Sequence, residues 1–247
     1  MARSSHSAAA TMQSLFAQTL KMWVLEPSVV ARVTRPAVSP AVASPPRAFS
    51  EWSEERQLEA LRSGRPDAWL GFYDAYAPYV LSVLRKVLGP DRELEDLLQD
   101  VFSRALEGVG RVKDATRLKP WLRGIAVFTA RELLRRRKWR SWLPLGGGEE
   151  DEDVIPYPVT TDALEERALL RKVKRILDGM RVDDRLAFTL RHFEGLELTE
   201  VAATMGISLS TAKRRIARAD DEFHRHASAD RDLRARLASG HTLGFTS

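Results

Sequence analysis

Lys213, Arg214 and Arg218 fall in the segment Leu198–Phe223, which reads LTEVAATMGISLSTAKRRIARADDEF. On a helix these cations share one side, with Ser210 and Thr211 at its leading end. The other side carries Ala212, Ile216, Ala219 and Phe223 at helical steps, an apolar stripe for burial. Upstream, Val201, Ala202 and Met205 share a face of a shorter helix. Gly206 suits the left-handed turn that ends it, Ile207 fills the corner, and Ser208 is a good N-cap for the second helix. Two short helices, a glycine turn and a cationic face near the second helix's start make a helix-turn-helix. The chemistry is recognition: hydroxyls reach phosphates or base edges, and Arg or Lys pairs with guanine edges. A plain helical hairpin with a solvated basic face shares this outline, but the Gly, Ile, Ser and cation spacing together favours DNA binding.

A second concentration of charge lies in residues 111–140, where eleven cations face only Asp114 and Glu132, a net of +9. A helix is expected to start at Pro120. Its expected core stripe is Leu122, Ile125, Thr129 and Leu133, with Trp121, Gly124, Phe128, Arg131 and Arg135 on another face. Aromatic rings among guanidinium groups suit a single-stranded nucleic acid, stacking the bases and neutralising the backbone. The same rings read equally well as ordinary core. A third surface lies on the helix with Leu94, Leu97, Leu98, Val101, Phe102, Ala105 and Leu106 on one face. Its other side holds Glu95, Asp96, Gln99, Asp100, Ser103 and Glu107, an acidic stripe that repels DNA and suits water or a basic protein.

These surfaces need helices to carry them. Helices are expected over Glu54–Arg62 and from about Asp67 to Gly89-Pro90-Asp91, where Asp91 can cap the next one. Residues 143–160 hold three glycines, five consecutive acids and then Pro156 and Pro158, the composition of a solvated tether. The fold class is therefore all-α, with two small helical domains joined by a flexible acidic linker. The expected boundaries are an extension at 1–50, a first lobe at 51–142, the linker at 143–162, a second lobe at 163–226 and a tail at 227–247. The extension is proline-rich and acid-poor, which reads as disordered or as a transit-peptide mimic, and its repeated prolines favour disorder.

Composition narrows the function. The chain has 247 residues, net charge +5, and 44% hydrophobic residues, which suits one or two globular domains. Its lack of Cys excludes disulfides, Cys metal sites and thiol catalysis, and fits a reducing cytoplasm. No apolar run approaches the roughly 18 residues of a membrane helix. The five histidines do not pair with acids at metal-motif spacing, and there is no phosphate-binding glycine loop, so neither cofactor, metal nor catalytic residue is expected.

Together these features resemble bacterial RNA polymerase sigma factors of the sigma-70 family, specifically the compact extracytoplasmic-function type. DLLQDVFSRAL at Asp96–Leu106 is similar to the region 2 helix that docks on the polymerase β′ clamp. LKPWLRGIAVFTARELLRRR at Leu118–Arg137 is similar to the melting and minus-ten helix. Leu190–Phe223 is similar to region 4, which reads the minus-thirty-five element. The resemblance implies clamp docking by Asp96, Gln99 and Asp100. It implies strand opening and base capture by Lys113, Arg117, Lys119, Trp121, Arg123, Phe128, Arg131 and Arg135. It implies major-groove contact by Lys213, Arg214, Ala217 and Arg218, with Ser210 and Thr211 leading. The implied partners are core polymerase through its β′ clamp and β flap, promoter DNA and an anti-sigma factor. The chain departs from the family pattern at Gly124, where a cation is common, and at Phe128, where Asn is usual. Met180-Arg181 replaces a common Leu-Pro, and Ala212 a larger aliphatic residue. A helix-turn-helix regulator acting without polymerase, and a degenerate relative that binds only protein, are the alternatives.

Overall fold

The computed structural model describes residues 49–140 and 161–239. Most of the extension, the linker and the end of the tail lie outside the described residues. Among the described residues every regular element is helical. They divide into two compact units at Leu133.

In the first unit, α1 spans Glu54–Arg62, α2 Pro66–Leu88, α3 Leu94–Gly108 and α4 Leu118–Arg140, the last running past the unit boundary. Ser53 caps α1 by accepting the Arg56 amide, and Gly89 ends α2 at φ 84°. The α2 face Phe72, Tyr73, Val80, Leu84 and Leu88 is buried, as is the α3 face Leu94, Leu97, Leu98, Val101, Phe102 and Ala105. Phe72 lies at the centre of this core, edge-on to Phe49, Trp69 and Phe102 at 5.9, 5.5 and 5.6 Å between ring centroids. Gly71 permits that packing, because a Cβ there would stand 2.5 Å from Cβ of Phe49. Arg62 of α1 donates to the Val112 carbonyl, tying α1 to the chain beyond α3.

Helix α4 begins at Leu118 rather than at Pro120. The reason is local: Asp114 accepts the Thr116 amide at 3.0 Å and starts a short turn, Ala115–Arg117, that leads straight into α4. The expected core stripe is also wider than Leu122, Ile125, Thr129 and Leu133. Ala126, Val127, Ala130 and Leu134 are buried too, and Ile125 is only half-buried.

In the second unit, α5 spans Thr161–Gly179, α6 Val182–His192, α7 Leu198–Met205, α8 Leu209–Ala229 and α9 Arg231–Ser239. The core joins Val173, Leu177 and Met180 with Phe188, Phe193, Ala219, Phe223, Ala227 and Leu233. Phe188 stacks on Phe223 at 5.1 Å and 26° between ring planes, which seats α8 on α6. Leu233 shows that the segment expected as a tail is in part structural. Asp230 accepts the amides of Asp232 and Leu233 at 3.0 and 3.1 Å, starting α9 and turning Leu233 inward. Lys172 of α5 holds this corner, reaching Asp230 at 2.9 Å and Asp232 at 2.5 Å.

The Lys172 hydrogen bond, aided by the Leu233 amide, holds the Asp230 carboxyl below the usual carboxylate range. A depressed carboxylate contributes stability above its unfolded pKa of about 3.9, and the contribution is lost as pH falls through the lower folded value. Acid should therefore release α9. Asp230→Asn should remove that part of the pH dependence, read as hydrogen-exchange protection of the α9 amides at neutral and acid pH.

Candidate nucleic-acid interface

The second unit builds the helix-turn-helix from α7 and α8. Val201, Ala202 and Met205 are buried, and Gly206 ends α7 at φ 64°, ψ 38°. The Ile207 amide returns to the Ala202 carbonyl at 3.0 Å, and Ser208 caps α8 by accepting the Thr211 amide at 3.2 Å. The Ser208 hydroxyl also meets those of Ser210 and Thr211 at 3.0 and 2.8 Å, so the two leading hydroxyls belong to the cap as well. Each retains further hydrogen-bonding capacity, since a hydroxyl has one donor and two acceptor sites. Ala212, Ile216, Ala219 and Phe223 are buried along α8, while Lys213, Arg214 and Ala217 are exposed on its far side.

Arg218 has another employment. Its Nε and NH2 donate to the two oxygens of Asp184 at 2.7 and 2.6 Å, a bidentate pair reaching from α8 to the first turn of α6. Asp184 is 1% exposed, so the fork is the partner its buried carboxylate needs. The pair raises the already high pKa of Arg218 and keeps it charged. One residue before, Asp183 meets Arg215 at 3.1 Å. Of the expected groove contacts, Arg218 is exposed like Lys213, Arg214 and Ala217, but its guanidinium also ties α8 to α6 through Asp184. Asp183, Asp184 and Arg215 carry no signal in the sequence, because acids in a first helical turn are already favoured by the helix dipole and give no sign of a distant partner. On the outer end of α6, His192 Nε2 lies 2.7 Å from Asp220 of α8, with the His192 ring against Phe188 at 4.6 Å.

In the first unit, Lys113, Arg117 and Lys119 are exposed before and within the first turn of α4. Arg117 faces Asp114 at 3.8 Å, and Lys119 lies over the Tyr79 ring at 4.6 Å. Trp121 is half-buried, close enough to α3 that a Cβ on Gly108 would stand 3.2 Å from it. Phe128 is 50% exposed and so is not a core residue. Arg131 is half-buried and Arg135 exposed. Arg123 corrects the expected site: it is only 9% exposed. It lies on the helical line of Val127, Ala130 and Leu134, all buried, so it faces inward rather than toward a DNA strand. On α3, Asp96, Gln99 and Asp100 are all exposed, on the side opposite Leu97, Val101 and Phe102.

Loss of the Arg218 fork should be felt in stability. Arg218→Ala strands a buried carboxylate and should destabilise the fold by about 1–3 kcal/mol, toward the lower end because water reaches the Arg218 side chain. Urea unfolding of the variant measures this. Unchanged stability would show that the fork contributes little to holding α8.

Family models for sigma-70 region 2 and sigma-70 region 4 match residues 72–140 and 170–219. RNA polymerase sigma factor CarQ of Myxococcus xanthus is 30% identical over 161 residues, spanning 65% of this chain and 90% of CarQ. The ECF RNA polymerase sigma factor SigW of Bacillus subtilis is 23% identical over 174 residues, spanning 66% of this chain and 91% of SigW. The solved structure of CnrH in complex with the cytosolic domain of CnrY shares the fold, with TM-score 0.52 at 21% identity over 72% of this chain and 98% of that one. A helix-turn-helix regulator acting apart from polymerase is not favoured, because the match takes in the first unit as well as α7 and α8. A cationic recognition helix, an exposed aromatic on a basic helix and this shared ancestry converge: the chain belongs to the sigma-70 family as an extracytoplasmic-function type RNA polymerase sigma factor, a non-enzymatic protein that directs transcription initiation.

Proposed function

We propose that the two lobes divide the promoter between them, region 2 occupying residues 51–142 and region 4 residues 163–226. In this reading Asp96, Gln99 and Asp100 dock on the β′ clamp of core polymerase. Lys113, Arg117 and Lys119 draw in the strand backbone, and Trp121, Phe128, Arg131 and Arg135 serve the minus-ten element. Lys213, Arg214 and Ala217 enter the major groove at the minus-thirty-five element, with Ser210 and Thr211 at its edge, while region 4 meets the β flap. Neither element needs to be bound tightly alone. Polymerase fixes the spacing, so the second contact forms at a high effective concentration. Stacking that is available only to an opened strand shifts the duplex toward melting.

One observation carries this division of labour. The chain presents an exposed acidic face on α3 as well as cationic faces on α4 and α8. A protein that met only DNA has no use for the acidic stripe, which repels phosphate. A protein that first docks on a basic surface of polymerase does. The place of action is the cytoplasm, where relatives of this family work on polymerase. No described helix is long and apolar enough to cross a membrane. An anti-sigma partner belongs to the same reading: the related CnrH is seen bound to the cytosolic domain of another protein.

Transcription in vitro with core polymerase and a promoter library tests the whole reading, and failure to select any start site would refute it. Asp96→Ala combined with Asp100→Ala should weaken core binding while leaving helicity unchanged, measured by co-purification and circular dichroism. Arg214→Ala should cost about 1–3 kcal/mol of promoter affinity and relax preference at one base position, whereas equal weakening on all sequences would make Arg214 a phosphate contact.

A further inference from the structure

Asp184, Phe188 and His192 follow one another at steps of four and form a single buried line along α6, at 1%, 0% and 9% exposure. Each meets α8. Asp184 takes the Arg218 fork, and Phe188 stacks on Phe223. His192, about 12 Å along α6 from Asp184, holds Asp220 at 2.7 Å from its Nε2. On α8, Arg218 and Asp220 stand either side of the fully buried Ala219, each about 100° around the helix from it. The two polar contacts therefore grip opposite flanks of α8. A helix tied at one flank can still roll about that tie, whereas a tie at each flank blocks the roll in both senses.

Packing alone does not account for a histidine at this position. A carboxylate only accepts, so Nε2 carries the hydrogen and Nδ1 is left as a bare acceptor. That Nδ1 is buried and meets no donor among the described residues. A phenylalanine would fill the same space beside the Phe188 ring, 4.6 Å away, without burying an unpaired nitrogen. The imidazole costs stability here, and what it supplies in return is the bond to Asp220.

We propose that His192 and Asp220 are positioning residues that set base discrimination by the recognition helix, by locking the roll of α8 on α6. A roll of about 10° shifts the surface of a helix of about 5–6 Å radius by about 1 Å. Hydrogen bonds to a base edge form within a window of about 0.5 Å, so Arg214 loses them on such a roll. Attraction of the same cations to phosphate barely changes, because it is electrostatic and tolerant of position. The pair governs how faithfully a base is read and adds little to how tightly DNA is held. This deepens the groove contact proposed for Lys213 and Arg214 and rests on it.

The test compares polymerase holoenzymes assembled with the full chain on a promoter selected from the library and on copies with single base-pair changes in the minus-thirty-five element. The readout is the ratio of affinities, selected over changed. His192→Phe and Asp220→Ala should each lower that ratio about 3- to 10-fold at the base pair read by Arg214, with affinity for the changed copies within about twofold of wild type. Asp220→Asn, whose side-chain oxygen still accepts from Nε2, should restore the ratio. The two lesions combined should cost no more than either alone. His192→Phe should also unfold in urea no earlier than wild type, an outcome that a merely structural pair does not allow. Ratios equal to wild type in both single variants, an equal loss on every duplex, or Asp220→Asn as impaired as Asp220→Ala overturns the proposal. Should His192→Phe fail to fold, Asp220→Ala decides alone, since the Asp220 side chain is 38% exposed and its loss leaves the core intact. Arg214→Ala, run alongside, separates the two readings. If it alone lowers the ratio, the groove contact stands and the pin falls. If the unaltered chain shows no preference at any position of this element, both fall.

Discussion

A recognition helix can offer cations to DNA only if its back is held still. In this chain the back of α8 is held twice. Phe223 stacks on Phe188, burying the apolar stripe against α6. Then Arg218 grips Asp184 with both arms of its guanidinium. The aromatic contact supplies burial but slides easily, since stacking is tolerant of offset. The bidentate pair has fixed geometry and defines how α8 is rotated on α6. The exposure of Lys213 and Arg214 results from that rotation. So does the cost of breaking the pair, because Asp184 has almost no access to water.

The first unit solves a different problem. Its α4 must keep a wide apolar side against the core while carrying cations for a polyanion. Small residues make this workable: Ala126 and Ala130 are fully buried and let the helix approach closely. The exposed edge is then free for Phe128, which apolar burial alone would have drawn inward. Arg104 and Glu132 give that ring a polar setting at the surface, so its exposure is part of a built arrangement.

Charge is partitioned by element. The α3 stripe of Asp96, Gln99 and Asp100 is acidic, the α4 region is strongly basic, and α8 is basic at its leading half. In the proposed division of labour, this partition would sort partners by sign before any specific contact forms, accelerating correct encounters and slowing wrong ones.

The amino-acid sequence alone determined the helical fold class, the buried stripes of α3 and α8, the Gly206 turn and the Ser208 cap, because each depends on residues within a few positions of one another. Periodicity also placed Asp96, Gln99 and Asp100 on an outward face. Only tertiary structure decided what the arginines do. Arg123, Arg214 and Arg218 look alike in sequence, yet one is buried, one is exposed, and one, exposed too, grips a carboxylate 34 residues away. A long flexible cation can serve phosphate, base, ring or carboxylate. Which of these it meets is set by partners distant in the chain, such as Asp184 for Arg218 and Phe128 for Arg104, and no local pattern encodes them.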